Sequence, residues 1–139
     1  MRHSPDNTFL VTALPRENQY EFCVAARKFR NLHLFGCWWF TNIPFLIEEM
    51  TRMRFELLGL TITPQHSDAR VLDQIIYKWD HSRRIIAEVL VDKYTDIAVT
   101  GWVPSRKEIE RDVKTLFGGG FENFLSAGKR IASSGDVTI

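Results

Sequence analysis

The sequence predicts an α+β fold, with a small N-terminal β-α-β layer followed by a mainly helical C-terminal half that carries a tri-helical unit. Three observations point there. Residues 8–14, rich in β-branched and apolar side chains and stopped by Pro15, and the aromatic run of residues 34–41 flank a stretch with helical spacing. Residues 64–132 keep apolar positions three and four apart almost throughout. Within them, Ser105-Arg106-Lys107-Glu108 has the spacing of a helix capping box. At 139 residues the chain fits one domain, read as an α+β part over 1–63, a helical part over 64–132 and a polar tail over 133–139.

The first strand falls within residues 8–14. Tyr20, Cys23, Val24, Arg27 and Phe29 then follow helical spacing, in a stretch that starts at Arg16-Glu17-Asn18 and fades near Asn31. The extended run 34–41 is expected to pair with the first strand. Asn42-Ile43-Pro44 opens the next helix, because proline in a first turn loses nothing by its missing N–H. Gly59 is placed to end that helix in a left-handed cap, and residues 60–63 read as a short strand before Pro64.

Leu72, Ile75, Ile76 and Trp79 share a helical face that continues through Ile86 and Leu90 to Tyr94. A break or bend is expected at Asp80-His81-Ser82, since Asp and Ser compete for backbone hydrogen bonds. Ile109, Val113 and Leu116 line the capped helix, Gly118-Gly119-Gly120 stops it, and a short last helix runs from Phe121 toward Ile131. Val137-Thr138-Ile139 is read as a candidate edge strand. The expected core comprises Phe9, Val11, Cys23, Leu46, Met50, Ile75, Trp79, Ile86, Leu90, Ile109, Val113, Leu116, Phe121 and Phe124.

The charge balance narrows the functions. With 18 Lys+Arg against 17 Asp+Glu, no global field draws the chain to nucleic acid or an anionic membrane, so any such binding needs a local patch. No apolar run approaches a membrane span and the N-terminus lacks a signal-peptide core, so a cytoplasmic protein is expected. Cys23 and Cys37, each among apolar neighbours, read as reduced and buried.

Signals for catalysis are weak. His3, His33, His66 and His81 lack the third partner that a metal site needs, so no metal or cofactor is expected. No nucleophile elbow is present, and the triple glycine lacks the Lys-Ser/Thr of a phosphate loop. Trp38-Trp39-Phe40 could stack on bases or sugars, but burial of alternate residues in the core is the favoured reading. The balance leans away from an enzyme.

Basic residues cluster by position. Lys78, His81, Arg83 and Arg84 surround the expected helix break, and Arg106, Lys107, Arg111 and Lys114 decorate the capped helix. Glu108, Glu110 and Asp112 dilute the second group. Arg106 and Lys107 occupy a first helical turn, the part of a recognition helix that meets base edges and phosphates.

Gly101-Trp102-Val103-Pro104-Ser105-Arg106-Lys107-Glu108-Ile109, with Phe117-Gly118, Phe121, Phe124-Leu125 and Ala127-Gly128 after it, resembles the homing-endonuclease-associated repeat. The resemblance covers roughly residues 82–130. It departs from the family in its three consecutive glycines, in Phe121 where Trp is usual, and in being a single copy. It implies a small helical DNA-binding unit similar to helix-turn-helix domains. The expectation is therefore a non-enzymatic nucleic-acid-binding accessory or regulatory protein of phage or mobile-element type. Arg83, Arg84, Arg106, Lys107 and Arg111 would contact duplex DNA. The competing expectation is a protein-interaction module or small inhibitor that binds a host protein complex through an aromatic, mixed-charge surface. Near-neutral charge favours this second reading.

Overall fold

A parallel β-α-β unit organises the N-terminal part, and the fold is α+β as the sequence predicts. The computed structural model describes the backbone of residues 7–134 and the side chains of residues 7–128. Strand β1 (Phe9–Val11) pairs with β2 (Leu32–Leu34) in the register Phe9↔Leu32, Leu10↔His33 and Val11↔Leu34. Helix α1 (Gln19–Lys28) connects them, as a parallel pair requires. Helix α2 (Pro44–Leu58) follows, with Pro44 in its first turn and Gly59 just past its end at φ +60°, ψ −130°. That ψ lies outside the left-handed region expected for the cap. Residues 60–63 contribute a single parallel bridge, Thr63 to Phe35, on the free edge of β2. Gly36 N–H donates to Thr63 O at 2.7 Å, and Thr63 N–H to Leu34 O at 3.0 Å. Three consecutive extended segments thus run the same way, each separated from the next by a helix.

The aromatic run does not form the expected strand. Strand β2 ends at Leu34, pairing continues only through the bridge at Phe35 and the Gly36 N–H, and Trp39–Thr41 close a single 3-10 turn. The expected break near residue 80 is also absent, for helix α3 is continuous over Leu72–Val99. The three residues that suggested the break each find a partner compatible with a helix. Asp80 accepts from Arg84 one turn on at 2.6 Å, His81 stacks on Tyr77 one turn back, and Ser82 Oγ is buried and accepts from Gln65. Their side chains are occupied elsewhere, so they do not compete with the helix backbone.

Helix α4 (Arg106–Lys114) starts at the full capping box, with Ser105 Oγ accepting from Glu108 N–H and the Glu108 carboxylate accepting from Ser105 N–H. The triple glycine separates two helices as expected, for Phe117 and Gly118 leave helical backbone angles and the chain kinks there. Residues Thr115–Gly119 form a wide π-type turn with Gly118 at φ +144°, a conformation closed to most side chains. Helix α5 (Gly120–Ser134) then continues beyond the expected start of the tail at residue 133. The proposed strand at Val137-Thr138-Ile139 lies outside the described residues.

Two apolar clusters hold the helices to one another and to the segments after β2 and α2. Ile62, Ile86, Leu90 and Leu116 join α3 to the turn before α5, with Phe55 and Phe117 packed around them. Cys37, Ile47 and Met50 join α2 to the segment after β2. Both cysteines are buried and unbridged, as expected. Of the expected core, Ile75 is 40% exposed, because the first turns of α3 extend past the packed region. Among the described residues no helix is long and apolar enough to cross a membrane.

Candidate functional site

The three extended segments end at one edge of the fold, and the chain leaves each in a loop. In open sheets of parallel strands, ligands bind in the crevice beyond the carboxyl ends of the strands. Here the loops after β2 and after Thr63 enclose a cleft of about 610 Å³, lined by Trp39, Phe40, Ile43, Asp68, Arg70, Gln74 and Lys78.

Backbone strain singles out this cleft. Among the described residues, the non-glycine positions with positive φ are Trp39 (+45°) and Asp68 (+43°), and both line it. Aspartate tolerates that region better than most residues, whereas a bulky Trp there is a true outlier. Each such residue costs about 1–3 kcal/mol and persists where its surroundings enforce it, typically at a working site.

Charge and ring chemistry converge there. The Arg70 guanidinium lies over the Trp39 ring, 5.2 Å from its centroid, and among the described residues it forms no ion pair. Lys78 Nζ donates to the Asp68 carbonyl at 2.9 Å, which ties the strained loop to α3. The Asp68 carboxylate accepts no hydrogen bond among the described residues. His66 packs against Phe35 with the rings tilted and their centroids 5.1 Å apart, and burial lowers its pKa. Its Cδ2 occupies the space that a Cβ on Gly36 would need, and Gly36 sits at φ +67°. Trp38, Trp39 and Phe40 are 37%, 48% and 69% exposed, so the expectation that they fill the core is corrected. Their backbone turns at residue 39, and the rings face the cleft and solvent.

A buried cation supports the loops from below. Arg54, 2% exposed, donates to Gly36 O at 2.8 Å and to Gln19 Oε1 at 2.9 Å. Gln19 Nε2 in turn holds Ala13 O and Pro15 O in the loop after β1. A second cavity, of about 540 Å³, opens between the ends of α1 and α2 and the start of α5. It carries no strained residue, and Arg27 on its rim is spent on the Leu57 carbonyl. Among the described residues no group of three His, Cys, Asp or Glu side chains could hold a metal ion.

Of the basic residues singled out in the sequence, Lys78 lines the cleft, whereas the five expected to contact DNA do not. Arg84 is paired with Asp80, Arg106 with Glu110 and Arg111 with Asp112, while Arg83 donates to the Trp79 carbonyl and Lys107 is exposed. Helix α4 is tied to α3 at Tyr94, whose hydroxyl donates to Asp112. That point is eleven residues, or about 16 Å, along α3 from Arg83. In the sequence Trp39 reads as a stacking candidate ranked below burial, and Asp68 and Arg70 carry no mark of a site. The signal was available: two polar or aromatic loops, each following a β-like segment separated from its predecessor by a helix, must open at the same end.

Over 90% of its length the chain is similar to the crystal structure of a uronate isomerase from Bacillus halodurans C-125, with 61% sequence identity and a TM-score of 0.88. The chain spans 30% of the length of that isomerase. No family model and no curated protein matches the chain. The likeness to an enzyme overturns the expectation of a non-enzymatic DNA-binding or regulatory protein of phage type, and with it the reading as an inhibitor module. Helical spacing and a capping box are properties of many helical segments, and here they belong to a fold shared with an isomerase.

Proposed function

We propose that this chain carries part of the site of a sugar-acid isomerase, and that the cleft between the loops after β2 and after Thr63 binds the uronate. The 61% identity to a uronate isomerase over 90% of the chain carries this reading. The chemistry of the cleft supports it. A uronate is a sugar with a carboxylate at one end, and Arg70, with no carboxylate of its own, offers the planar fork that pairs with one. The exposed Trp39 ring gives a sugar face an apolar platform. Interconversion of an aldehyde sugar and its ketone isomer moves one hydrogen between adjacent carbons and a second between the oxygens they carry, which calls for a base within reach of the carbon-bound proton. Asp68 is the carboxylate available for that transfer, and Lys78 holds its backbone in place.

As part of the same reading we propose a cytoplasmic location, with which two unbridged thiols agree. The binding claim is tested by titrating a hexuronate and the corresponding neutral hexose while tryptophan fluorescence is recorded. Saturable quenching by the hexuronate alone supports the reading. Equal responses to both sugars, or none, count against it.

A further inference from the structure

Beyond Gly36 and Thr63, no backbone hydrogen bond among the described residues joins the two loops of the cleft. One side chain takes over. Gln65 is 1% exposed and lies directly beneath them. Its Oε1 accepts from Cys37 N–H at 3.1 Å and from His66 N–H at 3.2 Å. Its Nε2 donates to Asn42 Oδ1 and to Ser82 Oγ, each at 2.9 Å. A primary amide has two acceptor sites and two donor hydrogens, so its whole capacity is used. The partners are informative. Cys37 and Asn42 bracket Trp38-Trp39-Phe40, and His66 leads into Asp68 and Arg70. Ser82 lies one helical turn beyond Lys78, which grips the Asp68 carbonyl.

We propose that Gln65 is the positioning residue of the cleft: it sets the spacing between the loop that carries Trp39 and the loop that carries Asp68 and Arg70, and couples both to α3. Its consequence for sugar-acid binding rests on the function proposed above, whereas its hold on the loops does not. A side chain of this kind stores geometry, since losing it takes a hydrogen-bond partner from two amide donors and two oxygen acceptors at once.

Amide hydrogen exchange followed by mass spectrometry on the full chain tests this with two variants. Gln65→Met keeps the length of the side chain and removes all four bonds. Exchange is expected to quicken about tenfold over residues 36–43 and 64–70 while α4 stays unchanged, and hexuronate affinity should weaken by a similar factor. Gln65→Glu keeps the acceptors and, once ionised, lacks both donors. Protection of the two loops in this variant should approach wild type in acid and fall as pH rises. The titratable and charged neighbours are Cys37, His66, His81 and the buried Arg54, with Asp68 and Lys78 beside His66, so the wild-type profile over the same range is subtracted.

Unchanged loops in Gln65→Met, or a uniform rise in exchange through every helix, would overturn the proposal. If Gln65→Met does not fold, the pH series of Gln65→Glu decides by itself, and a pH-indifferent result overturns the proposal. Loops that loosen in a protein whose wild type binds no hexuronate would uphold the role of Gln65 and refute the sugar-acid reading.

Discussion

Arg70 and Trp39 come from different loops, yet the guanidinium of one lies over the ring of the other at 5.2 Å. The contact joins the two sides of the cleft at its mouth and leaves the hydrogen-bonding edges of the guanidinium open. At an exposed position such a pair stabilises by about 0.5–1 kcal/mol, too little to explain a strained Trp backbone by itself. Orientation of the cation explains the arrangement better.

Replacing Arg70 therefore separates binding from folding. Arg70→Ala is expected to weaken hexuronate binding by about tenfold to a hundredfold, the worth of a hydrogen-bonded charge pair, with little change in Tm. Arg70→Lys should recover only part of the loss, because a point charge lacks the planar fork. Calorimetric titration of the variants beside thermal melts gives both readouts.

Asp68 calls for a substitution that respects its backbone. Asparagine tolerates positive φ and matches the shape of aspartate, so Asp68→Asn should melt within a few degrees of wild type, while a chimaera carrying it within the full-length isomerase should lose at least about a hundredfold in turnover. Asp68→Val, with a β-branched side chain forced to φ +43°, should lose stability as well.

How much of this was legible beforehand varied with the range of the interaction. Pro44 at a first helical turn, and Ser105 with Glu108 three residues on, are local chemistry, and each appears where the sequence predicts it. The continuous α3 was illegible because Ser82 is silenced by Gln65, seventeen residues away. The buried polar residues Gln19, Arg54 and Gln65 resemble surface side chains until their partners from distant loops are known. The cleft was hidden for a further reason. Residue type announces neither the positive φ of Trp39 nor the parallel bridge at Thr63, and without that bridge the two loops have no common end.

The capping box is a structural device, and Ser105→Ala should cost about 0.5–2 kcal/mol in urea unfolding without affecting hexuronate binding. Hydrogen bonds from the Ser105 hydroxyl and backbone N–H hold the Glu108 carboxyl below its ordinary pKa. A depressed folded pKa means stability that is present above the unfolded value and lost as pH falls through the folded one. The gap between wild type and Ser105→Ala should accordingly narrow in acid.

Tyr94 sets the behaviour in alkali. Burial, and then its hydrogen bond to Asp112, push its hydroxyl up to about 12. A raised folded pKa stabilises below the unfolded value of 10 and is lost as pH rises toward 12, so unfolding should become easier across that window. Ultraviolet titration of tyrosinate should show one late-ionising residue, absent in Tyr94→Phe, and that variant should lose less stability between those limits.

The central claim is that the residues of this chain can serve in uronate isomerisation. A chimaera tests it most directly, with the matching segment of the Bacillus halodurans isomerase replaced by this chain and conversion of a hexuronate to its ketone isomer followed by NMR. The expected result is turnover within about tenfold of the parent enzyme, cut at least about a hundredfold by Asp68→Asn, and with Arg70→Ala in the inserted segment lowered about tenfold to a hundredfold at low hexuronate concentration. A folded chimaera without turnover, or one indifferent to both substitutions, would contradict it.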